Sequence, residues 1–150
     1  MKKAFAVLLT LCLIIITTAC GNDDNRIPNV ISSAASVSIN GEKNDTVEAA
    51  MGAFEGSQGD FIEFFFDEDV TFNTFFISEK TTSVRQYNIY ALTGDRYKLI
   101  HTGKHITAEN ITLDTVTTTA IKVVILNTEI GNDSFVIQGI SAYEVKNTTE

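Results

Sequence analysis

The feature that most constrains the fold is a short-range alternation of apolar and polar residues, which runs through residues 27–146. Helical periodicity is almost absent from this stretch, while β-branched and aromatic residues are frequent. Turn-forming residues interrupt the alternation at intervals of roughly 8–12 residues, the spacing of strands in antiparallel sandwiches. Only residues 46–54 favour a short helix or a turn. The pattern therefore predicts one all-β domain, an antiparallel β-sandwich.

Individual strands follow from the same alternation. In residues 84–92 it places Tyr87, Ile89 and Ala91 on one face of a strand and Asn88 and Tyr90 on the other. The predicted strands are residues 61–66, 70–79, 84–92, 96–101, 110–114, 120–127 and 135–145, the last with a bulge at Gly139. The predicted turns include an acidic one at residues 67–69 and a tight one at Gly94, where positive φ costs little. The strand spacing also predicts four core aromatic residues, namely Phe64, Phe66, Phe72 and Phe76.

The first 20 residues have the organisation of a secretory leader. Lys2 and Lys3 precede an uncharged, mostly apolar run over residues 4–19. At about 1.5 Å per residue this run is too short to cross a hydrocarbon core of ~30 Å comfortably. The order of basic, apolar and small residues is that of a signal peptide. Residues 1–19 are therefore predicted to be removed from the mature protein.

The end of this leader resembles the bacterial lipobox, in which cleavage occurs before a cysteine that receives diacylglycerol. Residues 17–20 read Thr-Thr-Ala-Cys, with threonine where leucine is usual. We expect Cys20 to carry acyl chains such as palmitate and residues 20–28 to form a flexible tether. The expected location is the bacterial cell envelope, extracytoplasmic, at the outer membrane or the cell surface. The alternative is an ordinary signal peptide that happens to end at a cysteine.

Cysteine content and charge exclude several classes of function. Cys12 would leave with the leader and Cys20 would be acylated, so the folded part would hold no cysteine. This excludes a disulfide, a thiolate nucleophile and a cysteine zinc site. The formal net charge of −8 disfavours nucleic acid as a partner, because an acidic surface repels phosphates.

Five weak motifs, taken in order, resemble a known family. They are Phe-Ile-Glu-Phe-Phe-Phe at residues 61–66, Val-Thr-Phe-Asn-Thr-Phe-Phe-Ile-Ser at 70–78, Tyr-Asn-Ile-Tyr-Ala-Leu-Thr-Gly-Asp-Arg-Tyr at 87–97, Ala-Ile-Lys-Val-Val-Ile at 120–125 and Ile-Gln-Gly-Ile-Ser-Ala-Tyr at 137–143. Together they resemble the galactose-binding-like fold of coagulation factor V/VIII type C (discoidin) domains, carbohydrate-binding module family 32 and the C-terminal domain of bacterial fucosidases. The resemblance implies an eight-stranded antiparallel jelly-roll β-sandwich over residues 29–147. It suggests glycan binding, although the family also binds lipids and proteins.

A sugar site needs an aromatic platform and polar groups for the hydroxyls. The family places its site in loops at one end of the sandwich, which here implies the loops at residues 40–46, 54–59 and 131–135. Phe54 and Phe135 are the candidate platforms, with Phe135 preferred, and Arg85 and Asn127 are the candidate polar groups. The alternative for each phenylalanine is a core residue at the end of a strand.

The family often holds a structural calcium ion, and the resemblance implies where it would bind. The positions are Asn40, Glu42, Asp45 and Thr46, in a loop that suits a hard cation with oxygen ligands. The family's glutamate in the last strand is replaced here by Gly139. We therefore expect no cofactor, with calcium as a weak alternative and a plain polar turn as the other.

No catalytic motif is present. The sequence contains neither a Gly-x-Ser-x-Gly nucleophile elbow nor a phosphate-binding glycine loop. His101 and His105 are separated by Thr102 and Gly103 in a strand-rich region, so their spacing does not indicate a metal pair. The sequence predicts a non-enzymatic, lipid-anchored envelope domain that binds carbohydrate or another envelope component. The alternative is a structural or protein-interaction lipoprotein with no sugar ligand.

Overall fold

A computed structural model of the protein describes residues 27–44 and 54–146. These residues form a short 3-10 helix, Val30–Ser33, and eight strands. The strands are β1 (Ser36–Ile39), β2 (Glu42–Asn44), β3 (Phe54–Ser57), β4 (Phe61–Glu79), β5 (Val84–Thr93), β6 (Arg96–Gly103), β7 (Asn110–Thr128) and β8 (Ser134–Tyr143). No helix among the described residues is long and apolar enough to cross a membrane.

Two long strands connect the two layers of the molecule. The first part of β4 pairs with β1 and with the end of β7, whereas its second part pairs with β8 and the start of β7. One layer therefore has the order β2-β1-β4-β7-β5-β6, and in the other β8 pairs with the second half of β4 while β3 pairs with β8. Every pairing is antiparallel. The predicted eight-stranded antiparallel β-sandwich is confirmed.

Two predicted breaks between strands are wrong. The acidic residues 67–69 are not a turn, because β4 continues through them as an exposed irregularity between Phe65 and Val70. A bulge lets extra residues leave the ladder without ending the strand, so the three carboxylates stay in water. The segments 110–114 and 120–127 are likewise parts of one strand, since the β-branched residues between them favour extended backbone.

The core lies between the layers and is built from the inward residues of the strands. Tyr87, Ile89 and Ala91 are buried, and the predicted alternation of β5 is confirmed. Phe64, Phe66 and Phe72 are also buried, as predicted. Phe76 is only half-buried, and Phe75 occupies the core instead. The reason is a register shift between Phe72 and Thr74, which reverses the alternation of β4 beyond it.

The turn and the bulge predicted from glycines are confirmed. Gly94 joins β5 to β6 with φ +63°. In the pairing of β4 with β8, Ser78 lies opposite Gly139 and Glu79 lies opposite Ile137, so Gln138 is the extra residue. This bulge is adjacent to Gly139, the residue at which the sequence predicted it.

Candidate functional site

The described parts of the predicted ligand loops gather at one end of the sandwich. The amide of Gln58 donates a hydrogen bond of 3.1 Å to the carbonyl of Asp133, which joins the β3–β4 and β7–β8 turns. The amide of Phe61 donates to Oδ1 of Asn40 over 2.9 Å, which brings the β1–β2 turn to the same end. The described parts of the three loops therefore meet at one end of the sandwich.

Phe54 and Phe135 are not sugar platforms, which corrects the prediction for both. Their side chains are 2% and 1% exposed, and their rings meet edge to face with centroids 5.3 Å apart. Phe135 lies on β8 opposite Gly56 of β3, so its ring covers that glycine instead of pointing into the loops. Burial of an aromatic ring of this size is strongly favourable, and both rings belong to the core.

Arg85 and Asn127 lie side by side at the same end, because β5 and β7 pair there. Gln86 is opposite Asn127, which is exposed. The guanidinium of Arg85 is engaged within the protein, with Nη2 3.0 Å from Oε1 of Glu129 and Nη1 donating to the carbonyl of Thr82 over 2.6 Å. The two residues that the resemblance selected are therefore neighbours, but Arg85 serves to hold two loops together.

The proposed calcium positions fall partly outside the described residues. Asp45 and Thr46 are not described, whereas Asn40 and Glu42 are both exposed. The side-chain oxygen of Asn40 already accepts the amide of Phe61, and its backbone has a positive φ of 52°, so this residue shapes the turn. Among the described residues no three His, Cys, Asp or Glu side chains are grouped closely enough to hold a metal ion.

A different surface, on the outer face of the larger layer, brings polar and aromatic groups together. The strand register places Ser38, Glu63, Lys122, Tyr90 and Leu99 in one row across β1, β4, β7, β5 and β6. Glu63, Lys122 and Tyr90 point away from the core, because the residues before and after each of them on the same strand are buried. We call the set of five the outer row.

A second row of side chains runs beside the outer row and fixes one of its rings. Val124 lies opposite both Phe61 and Asn88, and Asn88 lies opposite Thr102. The side-chain amide nitrogen of Asn88 donates to the hydroxyl oxygen of Tyr90 over 2.8 Å. Oγ1 of Thr102 donates to the side-chain oxygen of Asn88, also over 2.8 Å. The phenol of Tyr90 is thereby held in one orientation.

The ammonium group of Lys122 is the centre of the surface. Its Nζ is 3.4 Å from Oε1 of Glu63, and the two side chains are 22% and 12% exposed. The same nitrogen lies 3.7 Å from the ring centroid of Phe61 and 5.4 Å from that of Tyr97. Lys122 is therefore paired with a carboxylate and faces two aromatic rings.

Tyr97 on β6 completes the surface and keeps its proton. Burial raises the pKa of Tyr97 to about 12, and the charge of Glu63 and a hydrogen bond to Glu63 add to the rise. At neutral pH the phenol is a hydrogen-bond donor with Glu63 as its acceptor. Glu63 thus holds both Lys122 and Tyr97 in place.

These groups surround a shallow hollow of about 240 Å³, which is lined by Tyr90, Tyr97, Lys122 and Val124. We call it the tyrosine hollow. Its volume is a little below the ~300 Å³ at which sites for drug-sized ligands begin, so it suits one small cyclic unit. Its lining combines the ring faces and hydroxyl groups of two tyrosines with the ammonium of Lys122, which can form hydrogen bonds with the hydroxyl groups of a ligand.

Sequence reasoning missed the tyrosine hollow. The alternation of β5 correctly placed Tyr90 on the face opposite to Ile89, and the same rule applied to β7 places Lys122 on the face opposite to Ile121 and Val123. The order of strands in the sheet, which puts these residues beside Glu63 and Tyr97, is not present in any local pattern.

Comparison with known proteins identifies the fold. No protein-family model matches the sequence, and no curated protein does. The structure is similar to a family 32 carbohydrate-binding module from Streptococcus pneumoniae EndoD, with TM-score 0.62 and 13% identity over 79% of this chain and 100% of the module. A pectin-binding carbohydrate-binding module matches with TM-score 0.59 and 15% identity over 77% of this chain and 94% of that one.

Accessory regions of enzymes have the same fold. A Ruminococcus gnavus GH29 fucosidase, solved in complex with fucose, matches with TM-score 0.61 and 18% identity over 80% of this chain. The match covers only 27% of the fucosidase. At these identities the similarity establishes the architecture, which is the galactose-binding-like sandwich that the sequence motifs resemble.

Proposed function

We propose that this protein is a non-catalytic, lipid-anchored carbohydrate-binding domain of the bacterial cell envelope, and that the tyrosine hollow holds one sugar residue of its ligand. The observation that carries the proposal is the arrangement of Tyr90 and Tyr97 around the paired charges of Lys122 and Glu63. The shared fold supports it, because two of the similar structures are carbohydrate-binding modules.

The hollow offers the two kinds of contact that a sugar needs. The apolar face of a pyranose can lie against a tyrosine ring, whose body is apolar and whose hydroxyl group is polar. The hydroxyl oxygen of Tyr97 and the free N–H groups of Lys122 line the same hollow and can bind the hydroxyl groups of the sugar. An exposed hollow with one such subsite predicts weak binding, strengthened when several anchored copies bind one polymer.

The chemistry of the hollow favours binding over hydrolysis. Glycoside hydrolysis uses two carboxyl groups that flank the scissile bond. Glu63, the carboxylate of this surface, is ion-paired with Lys122 and holds Tyr97, so it is committed to positioning. The lipid on Cys20 and the tether before residue 29 would keep the binding face at the membrane or cell surface.

The experiment is a glycan array with the detergent-solubilised full chain, followed by calorimetry on the glycans that bind. Tyr90→Ala and Tyr97→Ala are each expected to weaken binding about tenfold, which is ~1.4 kcal/mol. Tyr143→Ala, which removes a ring from β8 on the other layer, is the matched control and should leave binding unchanged.

Two results would contradict the proposal. If the array shows no binding, the alternative of a structural or protein-interaction lipoprotein gains support. If glycans bind but Tyr90→Ala and Tyr97→Ala bind as well as wild type, the site lies elsewhere. Thermal melting of each variant separates loss of binding from loss of folding.

A further inference from the structure

We infer that the Glu63–Lys122 pair makes the tyrosine hollow selective for neutral sugar residues over uronates. The inference rests on the proposed function and specifies its ligand class. It is carried by the charges that face the hollow and by what each of them already contacts.

Among the described residues that line the hollow, Lys122 is the charged one, and it is already paired. Its partner is Glu63, with Nζ 3.4 Å from Oε1, so the two formal charges cancel. Tyr97 is protonated at neutral pH and therefore adds no charge to the hollow. The chain as a whole has a formal charge of −8, which repels a polyanion at long range.

The ion pair lies in a dry part of the surface, so its charges are poorly screened. The side chain of Glu63 is 12% exposed. Its neighbour in the outer row, Ser38, is buried, and among the described residues Oγ of Ser38 has no hydrogen-bond partner. Water therefore has little access to this flank of the carboxylate, and electrostatic interactions there are stronger than at an open surface.

A uronate has two ways to bind, and both are unfavourable. If its carboxylate draws the ammonium of Lys122 away from Glu63, a mostly buried carboxylate loses its counter-ion. If Lys122 stays in place, the uronate carboxylate meets Glu63 with like charge.

A neutral sugar can use the pair without breaking it. A hydroxyl group donates and accepts at once, so it can accept from Lys122 while donating to Glu63 or to the oxygen of Tyr97. The ammonium then keeps its contacts with Glu63 and with the ring of Phe61.

The test compares neutral oligosaccharides with uronate oligosaccharides of the same linkage, in two pairs. One pair is galactose-based and galacturonate-based, and the other is mannose-based and mannuronate-based. Calorimetry uses the detergent-solubilised full chain. The wild type is expected to bind the neutral member of at least one pair tenfold or more tightly than the uronate. Equal or tighter binding of the uronates would overturn the inference while leaving the proposed function intact.

Substitution of Glu63 tests the cause of the selectivity. Glu63→Gln removes the negative charge and frees Lys122, so uronate affinity should rise at least tenfold and should fall again with added salt. Glu68→Gln, at an exposed carboxylate of the β4 bulge, makes the same change of net charge and should leave both affinities unchanged.

The remaining outcomes are also decisive. If Glu63→Gln melts like wild type but its ratio of neutral to uronate affinity is unchanged, the ion pair does not set the selectivity. If Glu63→Gln is unfolded, the wild-type comparison still decides whether the site prefers neutral sugars. If neither neutral nor acidic oligosaccharides bind the wild type, the proposed function fails and the inference fails with it.

Discussion

The ring of Phe135 on β8 lies directly against Gly56 on β3. A Cβ atom placed on Gly56 would come 2.7 Å from Cζ of Phe135, well inside van der Waals contact. The glycine therefore makes room for the ring, which is 1% exposed and packs edge to face on Phe54. This relationship explains why the aromatic residue chosen from the sequence as a sugar platform is a core residue.

Gly56→Ala should destabilise the domain by about 1–3 kcal/mol, the usual cost of overpacking a well-filled site. The added methyl group would also approach Oδ2 of Asp60 to 2.8 Å, and that oxygen accepts the amide of Ser57. Urea denaturation measures the change. Gly139→Ala is the control, because its new Cβ would meet only Oγ of Ser78 at 3.5 Å. Equal stability of the two variants would show that Phe135 moves aside freely.

Acid should destabilise the protein partly through His101. Burial lowers the pKa of His101 below its ordinary 6.5, and its ring lies beside that of Tyr87, with centroids 5.9 Å apart. The folded state therefore binds a proton on His101 less readily than the unfolded state does. The stability that neutral His101 contributes is complete above its ordinary pKa of 6.5 and is lost as the pH falls towards its lower pKa in the folded protein.

Thermal melting between about pH 7 and pH 5 checks this linkage. His101→Gln should show a shallower loss of stability with acid than wild type does. His105→Gln, at an exposed position after β6, should keep the wild-type slope. If His101→Gln and wild type have the same slope, His101 is not the group responsible.

Removing divalent ions should leave the melting temperature nearly unchanged. The glutamate position that the resemblance implies is Gly139, which lies opposite Ser78 in the ladder, and the side-chain oxygen of Asn40 already accepts the amide of Phe61. A metal bound at a hundredfold excess over its Kd would stabilise the fold by about 2.7 kcal/mol. Scanning calorimetry with EDTA and with added calcium measures this. A fall of several degrees in EDTA would show that calcium binds after all.

Cys20→Ala should release the protein from membranes or block its processing, since acyl chains on one cysteine supply the predicted anchor. Cys20 lies outside the described residues, so fractionation of cells followed by mass spectrometry of the mature N-terminus is the measurement. Cys12→Ala, within the predicted leader, is the matched control and should leave both the membrane retention and the processing of the protein unchanged. A processed Cys20→Ala protein that stays in the membrane fraction would argue against acylation.

Much of the fold could be predicted because its signals are local. Alternation correctly separated Ile89 from Tyr90, and Gly94 marked the turn between β5 and β6. The errors came where pairing overrode local signals. Three consecutive acidic residues at 67–69 were interpreted as a turn, but the partner strand carries β4 through them. Phe76 was assigned to the core, but a register shift placed Phe75 there.

The sequence by itself determined the all-β sandwich, the separation of Tyr90 from Ile89 across β5 and the resemblance to galactose-binding-like domains, and it predicts a leader with an acylation site at Cys20. Only the tertiary structure decided that Phe54 and Phe135 are buried and that Glu63 and Lys122 form an ion pair beside Tyr97. The physical reason is that a side chain's direction follows from the local pleat of its own strand. Its neighbours across the sheet follow from strand order, register and bulges, which depend on the packing of the whole domain.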